Sequence, residues 1–243
     1  MKIKSVHIKS FFVLIISIII LGCDNNSENL FVKIDSSTSN VKFNNQIIET
    51  DTLNILNEEY VFNGGGVAAA DFDNDGKTDL FFTGNQQPNR LYLNQGEFVF
   101  KDISESAKIL AQDKWSTGVT YADINNDNLL DIYVCAAMYK ENRRNMLFIN
   151  KGVNPETGII SFEEKASEYG IDDSGNSMGA VFFDYNKDGF IDLFVLNNEQ
   201  SKTIPTNYRK KIKDGTAVSN DRLYKNNGDG TFSDVTIEFG ITV

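Results

Sequence analysis

Four aspartates crowd into nine residues at Asp71-Phe-Asp73-Asn-Asp75-Gly76-Lys77-Thr-Asp79. They stand at positions 1, 3, 5 and 9 of the stretch, with a glycine at position 6. Carboxylates this dense repel one another unless a cation lies among them. Ca²⁺ suits such a loop, because it is a hard ion that takes roughly 6–8 oxygen ligands at about 2.3–2.6 Å. Asp71, Asp73 and Asp75 can turn inward, and Gly76 permits the sharp turn through positive φ. The Lys77 carbonyl then faces the ion, and Asp79 closes the cage. The stretch recurs as Asp123-Ile-Asn125-Asn-Asp127-Asn128-Leu129-Leu-Asp131 and as Asp184-Tyr-Asn186-Lys-Asp188-Gly189-Phe190-Ile-Asp192. The expected ligands there are Asp123, Asn125, Asp127, the Leu129 carbonyl and Asp131, then Asp184, Asn186, Asp188, the Phe190 carbonyl and Asp192. Asn128 replaces the turn glycine in the second copy, which makes that loop the weakest of the three.

An EF-hand would carry a bidentate glutamate at position 12 and a helix on each side. Position 12 is Phe82, Val134 and Val195 in the three copies. The flanks are Val67-Ala-Ala-Ala and Leu80-Phe-Phe-Thr around the first loop, Val119-Thr-Tyr-Ala and Ile132-Tyr-Val-Cys around the second. Ala180-Val-Phe-Phe and Leu193-Phe-Val-Leu flank the third. Short runs rich in β-branched and aromatic residues, bounded by turn residues, predict strands. Each loop is therefore expected to join two strands, which excludes the EF-hand.

The loops repeat at intervals of 52 and then 61 residues. A second block follows each: Arg90-Leu-Tyr-Leu-Asn94, Asn145-Met-Leu-Phe-Ile-Asn150 and Arg222-Leu-Tyr-Lys-Asn226. A third block runs from an aromatic to an isoleucine: Phe98 to Ile109, Phe162 to Ile171, Phe232 to Ile241. Each unit reads as strand, loop, strand, connector, strand, turn, strand. Four short strands per repeat predict an all-β fold of propeller blades, each a four-stranded antiparallel sheet with its acidic hairpin. The units fall at about 60–109, 110–171 and 172–243 of a region spanning 40–243.

The N-terminus predicts export. Lys2, Lys4 and Lys9 precede an apolar run from Phe11 to Leu21, which is short for a membrane span. Residues 1–22 are read as a signal peptide. Ile20-Leu-Gly-Cys23 resembles a bacterial lipobox, so Cys23 is the expected lipidation site and 23–39 a polar tether. The chain is then held at the bacterial outer membrane, at the cell surface, by its lipid alone. Only Cys135 is left to form any bridge, so no disulfide framework is possible.

The formal net charge is −11 and becomes −14 without the three signal lysines. Nucleic acid is excluded as a partner, because phosphate binding needs a basic face. The single histidine, His7, lies in the signal segment. The mature chain therefore lacks Ser-His or Cys-His nucleophilic machinery, and its grouped carboxylates are all taken by the loops. These points predict a protein that is not an enzyme.

The acidic loops, the Leu-Tyr-x-Asn strand, the Asn226-Asn-Gly-Asp-Gly-Thr-Phe232 turn and the Phe-Gly-Ile ending resemble FG-GAP/VCBS repeats of the integrin-α-type β-propeller. The likeness extends to lipid-anchored surface proteins of Bacteroidota. It implies Ca²⁺ in the loops and an adhesive or ligand-binding scaffold for a glycan or protein. Related propellers close with about seven blades, whereas three units and a lead-in are present here. An incomplete propeller of three to four blades is the expectation, with missing blades supplied by an adjacent chain or a longer form. Because some polysaccharide lyases share the architecture, a lyase-like propeller is the alternative function, and a structural fragment completed by another chain is a third.

Three other stretches read as packing or insertion. Asn63-Gly-Gly-Gly66 and Trp115-Ser-Thr-Gly118 suit close contact between blades. Gln200 to Asp221, with Lys202, Arg209, Lys210, Lys211 and Lys213, reads as a solvated insertion between strands.

Overall fold

The structure is a computed structural model that describes residues 30–138, 142–198 and 212–241. The chain divides into two units, 1–34 and 35–243. Of the first, residues 30–34 are described; they are exposed and belong to no helix or strand. The signal segment and Cys23 lie outside the described residues, as do Lys202, Arg209, Lys210 and Lys211. Among the described residues no helix is long and apolar enough to cross a membrane.

The second unit is all-β. Blade 1 is built from β1 (Val67–Ala70), β2 (Asp79–Phe82), β3 (Arg90–Asn94) and β4 (Phe100–Asp102). Blade 2 comprises β5 (Ser116–Ala122), β6 (Asp131–Ala136), β7 (Met146–Val153) and β8 (Ile160–Glu164). Blade 3 comprises β9 (Asn176–Phe183), β10 (Asp192–Asn198), β11 (Arg222–Asn226) and β12 (Phe232–Asp234). Within each blade consecutive strands pair antiparallel, in a four-stranded sheet. The only described helices are single turns, α1 (Ser36–Ser39) and α2 (Ala166–Tyr169). The first falls inside the segment expected to be a plain tether, and buries Ser39.

The two-residue period of a strand explains how the blades stack. All six residues of β6 are buried. Ile132 and Val134 join Phe81, Leu91, Ala68 and Phe148 in the core between blades 1 and 2. The alternate residues, Tyr133 and Cys135, join Leu147, Leu193, Val195 and Tyr224 in the core between blades 2 and 3. A strand covered on both faces reads as a continuous apolar run, as Ile132-Tyr-Val-Cys does. Cys135 is a free, fully buried thiol, and burial pushes its pKa up.

Small residues set the spacing of the stack. A Cβ on Gly66 would stand 3.0 Å from Val119 N, and one on Gly118 would stand 2.7 Å from Gly179 Cα. Thr83 donates its hydroxyl to the Thr117 carbonyl, and Thr117 in turn donates to the Ser177 carbonyl at 2.6 Å. The two stretches read as packing segments thus lie at blade junctions, with Trp115 almost fully buried. The segment before β1 covers the outer side of blade 1. Phe43 stacks on Phe82 with centroids 5.2 Å apart, and Asn45 exchanges two hydrogen bonds with Asn85. Among the described residues β1 packs on β5 and β5 on β9, so the blades follow one another in series.

Candidate metal centre

Each acidic stretch is the first hairpin of a blade. Asp71, Asp123 and Asp184 directly follow β1, β5 and β9, while Asp79, Asp131 and Asp192 open β2, β6 and β10. Position 6 is left-handed in all three, at φ 85° for Gly76, 65° for Asn128 and 88° for Gly189. Asparagine tolerates this region because its short polar side chain bonds locally. Position 4 is also left-handed, at Asn74, Asn126 and Lys187. The asparagines at this position in loops 1 and 2 are the signal for that second kink, and Lys187, with no special ease there, carries none.

The position-1 aspartate wraps the turn. Asp71 accepts from Asp75 N at 3.1 Å and from Gly76 N at 2.8 Å. Asp123 does the same for Asp127 and Asn128, and Asp184 for Asp188 and Gly189. In the first loop Asp71, Asp73 and Asp79 bring one oxygen each within 4.8 Å of one another. Among the described residues, this is the group of three such side chains that converges tightly enough to hold a metal. Burial raises the Asp73 pKa, and the neighbouring Asp75 and Asp71 charges add to the effect.

Asp75 is held by Lys77. One of its oxygens accepts from Lys77 N at 2.9 Å and the other from Lys77 Nζ at 2.6 Å. That ammonium holds the Asp75 carboxyl below its ordinary range. Asp127 and Asp188 bond the position-7 amides of Leu129 and Phe190 in the same way. Their second oxygens accept from the Asn125 and Asn186 amides. In loops 2 and 3 the position-3 asparagine therefore gives both its oxygen and its amide to Asp127 or Asp188. The donor chemistry of loop 1, three carboxylates with a buried member, fits a hard divalent cation. At position 3, Asn125 and Asn186 accept from the position-5 amide as Asp73 does, so loops 2 and 3 offer an amide oxygen where loop 1 offers a carboxylate.

The position-9 aspartates anchor the loops to the blades. Asp79, Asp131 and Asp192 are fully buried. Asp79 accepts from Phe72 N at 2.9 Å and Asn94 N at 2.8 Å. Asp131 accepts from Ile124 N and Asn150 N, and Asp192 from Tyr185 N and Asn226 N. Burial outweighs these bonds: it pushes Asp79 up to about 6 and Asp131 to about 7, and raises Asp192. A cation would relieve this cost by meeting the charge.

The asparagine that ends each Leu-Tyr-x-Asn block has a role that the sequence did not disclose. Asn150 donates its amide to Leu130 O in its own loop and to Phe72 O in the preceding one, at 3.1 and 2.9 Å. Asn226 does likewise to Ile191 O and Ile124 O. The repeated Asn was visible as a motif; its partner, 78 residues away for Asn150, was not. Asn74 also reaches the neighbouring loop, donating to Asn128 O at 3.0 Å.

Hairpin sites on serial four-stranded blades define a propeller-type repeat protein, and comparison with known proteins points the same way. Residues 58–134 match the model of the FG-GAP-like repeat family. Over 139 residues, 56% of this chain, it is 34% identical to human cartilage acidic protein 1 and 33% identical to the mouse protein. Over 85% of its length it is 26% identical to a T-cell immunomodulatory protein homolog of Plasmodium yoelii yoelii. The chain spans 20% to 30% of the length of these relatives.

Proposed function

We propose that this chain is a Ca²⁺-stabilised binding module, exported and displayed at the cell surface, whose blades present a scaffold for a glycan or protein ligand. The observation that carries the reading is the convergence of Asp71, Asp73 and Asp79 at a hairpin whose plan recurs in all three blades. Asp71, Asp73 and Asp79 would hold the ion, and Asp75 would join them on leaving Lys77. The ion's work is to neutralise buried carboxylates and clamp the strand ends, not to perform chemistry on a substrate. The relatives named for cartilage and for immunomodulation support an extracellular, non-enzymatic role. Attachment is assigned to lipid on Cys23, and Cys23→Ala is expected to release the protein from membranes.

Calorimetric titration of Ca²⁺ into the chelator-treated chain, with melts at each concentration, tests the cation. Binding to one site stabilises by about 2.7 kcal/mol at a hundredfold excess over Kd, so the melting temperature should climb with Ca²⁺. A melting temperature indifferent to millimolar Ca²⁺ would sink the reading. A glycan-array screen with mass analysis of the retained sugars tests the ligand; cleaved products would mark an enzyme instead.

A further inference from the structure

The lead-in and the last two strands of blade 1 enclose a cleft of about 470 Å³. Asn40 and Lys42 line it from the lead-in, Tyr92 and Gln95 from β3 and the turn after it, and Lys101 and Asp102 from β4. Small-molecule sites span roughly 300–1,000 Å³, so the cleft is of a size to take one. Among the described residues, the side chains of Asn40, Lys42, Gln95 and Lys101 make no hydrogen bond or ion pair. Asp102 is engaged within its own sheet. Its Oδ1 accepts from Ser104 N at 3.0 Å and from Ser104 Oγ, and its Oδ2 lies 3.7 Å from Arg90 Nε. The cleft thus offers two ammonium groups and two carboxamides, in a chain whose net charge is −11.

Tyr92 adds a buried donor. It is 2% exposed. Its oxygen accepts from Lys42 N at 3.4 Å, with Phe43 N alongside, and its proton has no acceptor among the described residues. Leaving a buried donor unanswered is costly. Tyr224 holds the same place in blade 3, two residues before the closing asparagine. It donates to Asp173 Oδ2 at 2.8 Å, and Arg222 Nε lies 3.8 Å from that oxygen. A tyrosine at this place therefore takes a carboxylate, and no carboxylate of the described chain accepts from Tyr92. The plan of the repeat does not account for the lysines either. Lys101 stands where blades 2 and 3 carry Glu163 and Ser233, and blade 2 has Phe148 in place of Tyr92. The donor set belongs to blade 1 alone among the three.

We propose that this cleft binds a uronic acid residue of an acidic glycan. The Tyr92 hydroxyl and the ammoniums of Lys42 and Lys101 receive its carboxylate, and Asn40 and Gln95 meet its ring hydroxyls. A carboxamide sets an N–H donor beside a carbonyl acceptor, which is what adjacent sugar hydroxyls answer; an acidic peptide would call for the cations alone. The inference rests on the reading of the chain as a glycan-binding module and not on the cation in the loops.

The test titrates trisaccharides of galacturonate, glucuronate and mannuronate, each beside its carboxyl-reduced neutral form, into the full chain at fixed millimolar Ca²⁺. At least one uronate should bind on the order of tenfold more tightly than its neutral form, and added salt should weaken it. Lys101→Glu and Lys42→Gln should each cost that uronate about tenfold in affinity and leave the melting temperature within about 2 °C. Tyr92→Phe should narrow the gap between the uronate and its neutral form. Should Lys101→Glu disturb the sheet, Lys42→Gln, on the lead-in, decides. A neutral trisaccharide bound as well as its uronate, or uronate binding untouched by the lysine variants, overturns the site and leaves the module reading standing. So does a glycan-array ligand that contains no uronate when none of the uronates binds. A glutamate-rich peptide bound in place of every uronate also overturns the site, in favour of a protein ligand. Silence of every sugar, here and on the array, overturns the glycan reading itself and the site with it.

Discussion

Asp131 shows how one buried carboxyl couples the fold to pH. Burial holds its pKa up at about 7, while an aspartate in the unfolded chain titrates near 3.9. Between these values the folded chain keeps a proton that the unfolded chain has released. Cation-free stability should therefore fall as pH rises from about 4 to about 7, and Asp79, raised to about 6, acts in the same direction. Ca²⁺ requires the carboxylates, so it should reverse the slope. Urea midpoints at pH 5 and pH 8 check this, and Asp131→Asn should flatten the cation-free profile. A second expectation follows from position 3. Asp73→Asn gives loop 1 the donor set of loops 2 and 3, with an amide oxygen in place of a carboxylate. Its Ca²⁺ affinity should drop on the order of tenfold through lost charge, as titration calorimetry would read. The sequence marked Asp71, Asp73 and Asp79 correctly as neighbours because their spacing is local. Nothing in the spacing reveals that Lys77, two residues on, bonds the Asp75 carboxylate.

Between elements, the asparagines give the sharpest comparison. Asn150 is buried, holds carbonyls from two blades and accepts from Gly152 N. Asn94 reaches only Thr78 O and Gly96 N. Asn150→Ala should cost about 2–4 kcal/mol and Asn94→Ala about 1, at roughly 1 kcal/mol per hydrogen bond with an added penalty for stranded buried groups. Equilibrium urea unfolding would show the difference; equal losses would mean that the bond between blades contributes nothing. Gly118→Ala drives a methyl into the backbone of β9 and should cost several times more than any change at the hairpin tips. The strands themselves were readable from short β-branched and aromatic runs between turn residues. Which face of a strand meets which neighbour was not, because β6 and β7 are apolar on both sides and alternation is hidden in such a run. The one-turn helices were missed for a simpler reason: four residues carry no helical period.

Among the described residues, the series of blades is sheltered by the lead-in at blade 1 and exposes apolar side chains such as Val181 and Leu196 at blade 3. Stability in such arrays is approximately a sum of unit terms and nearest-neighbour terms. Among the described residues, blade 2 has neighbours on both sides, blade 1 has blade 2 and the lead-in, and blade 3 has blade 2. Native-state hydrogen exchange should accordingly find β11 and β12 the least protected strands and β6 the most, by at least an order of magnitude. Uniform protection across the three sheets would contradict this. Cys135 offers a way to time the same events. Its thiol sits in the core shared by blades 2 and 3, so a thiol reagent cannot reach it while they are joined. In a chain with Cys23 replaced by serine, the rate of modification becomes the rate at which that seam parts. The molecule thus carries its own stopwatch, needing neither dye nor label.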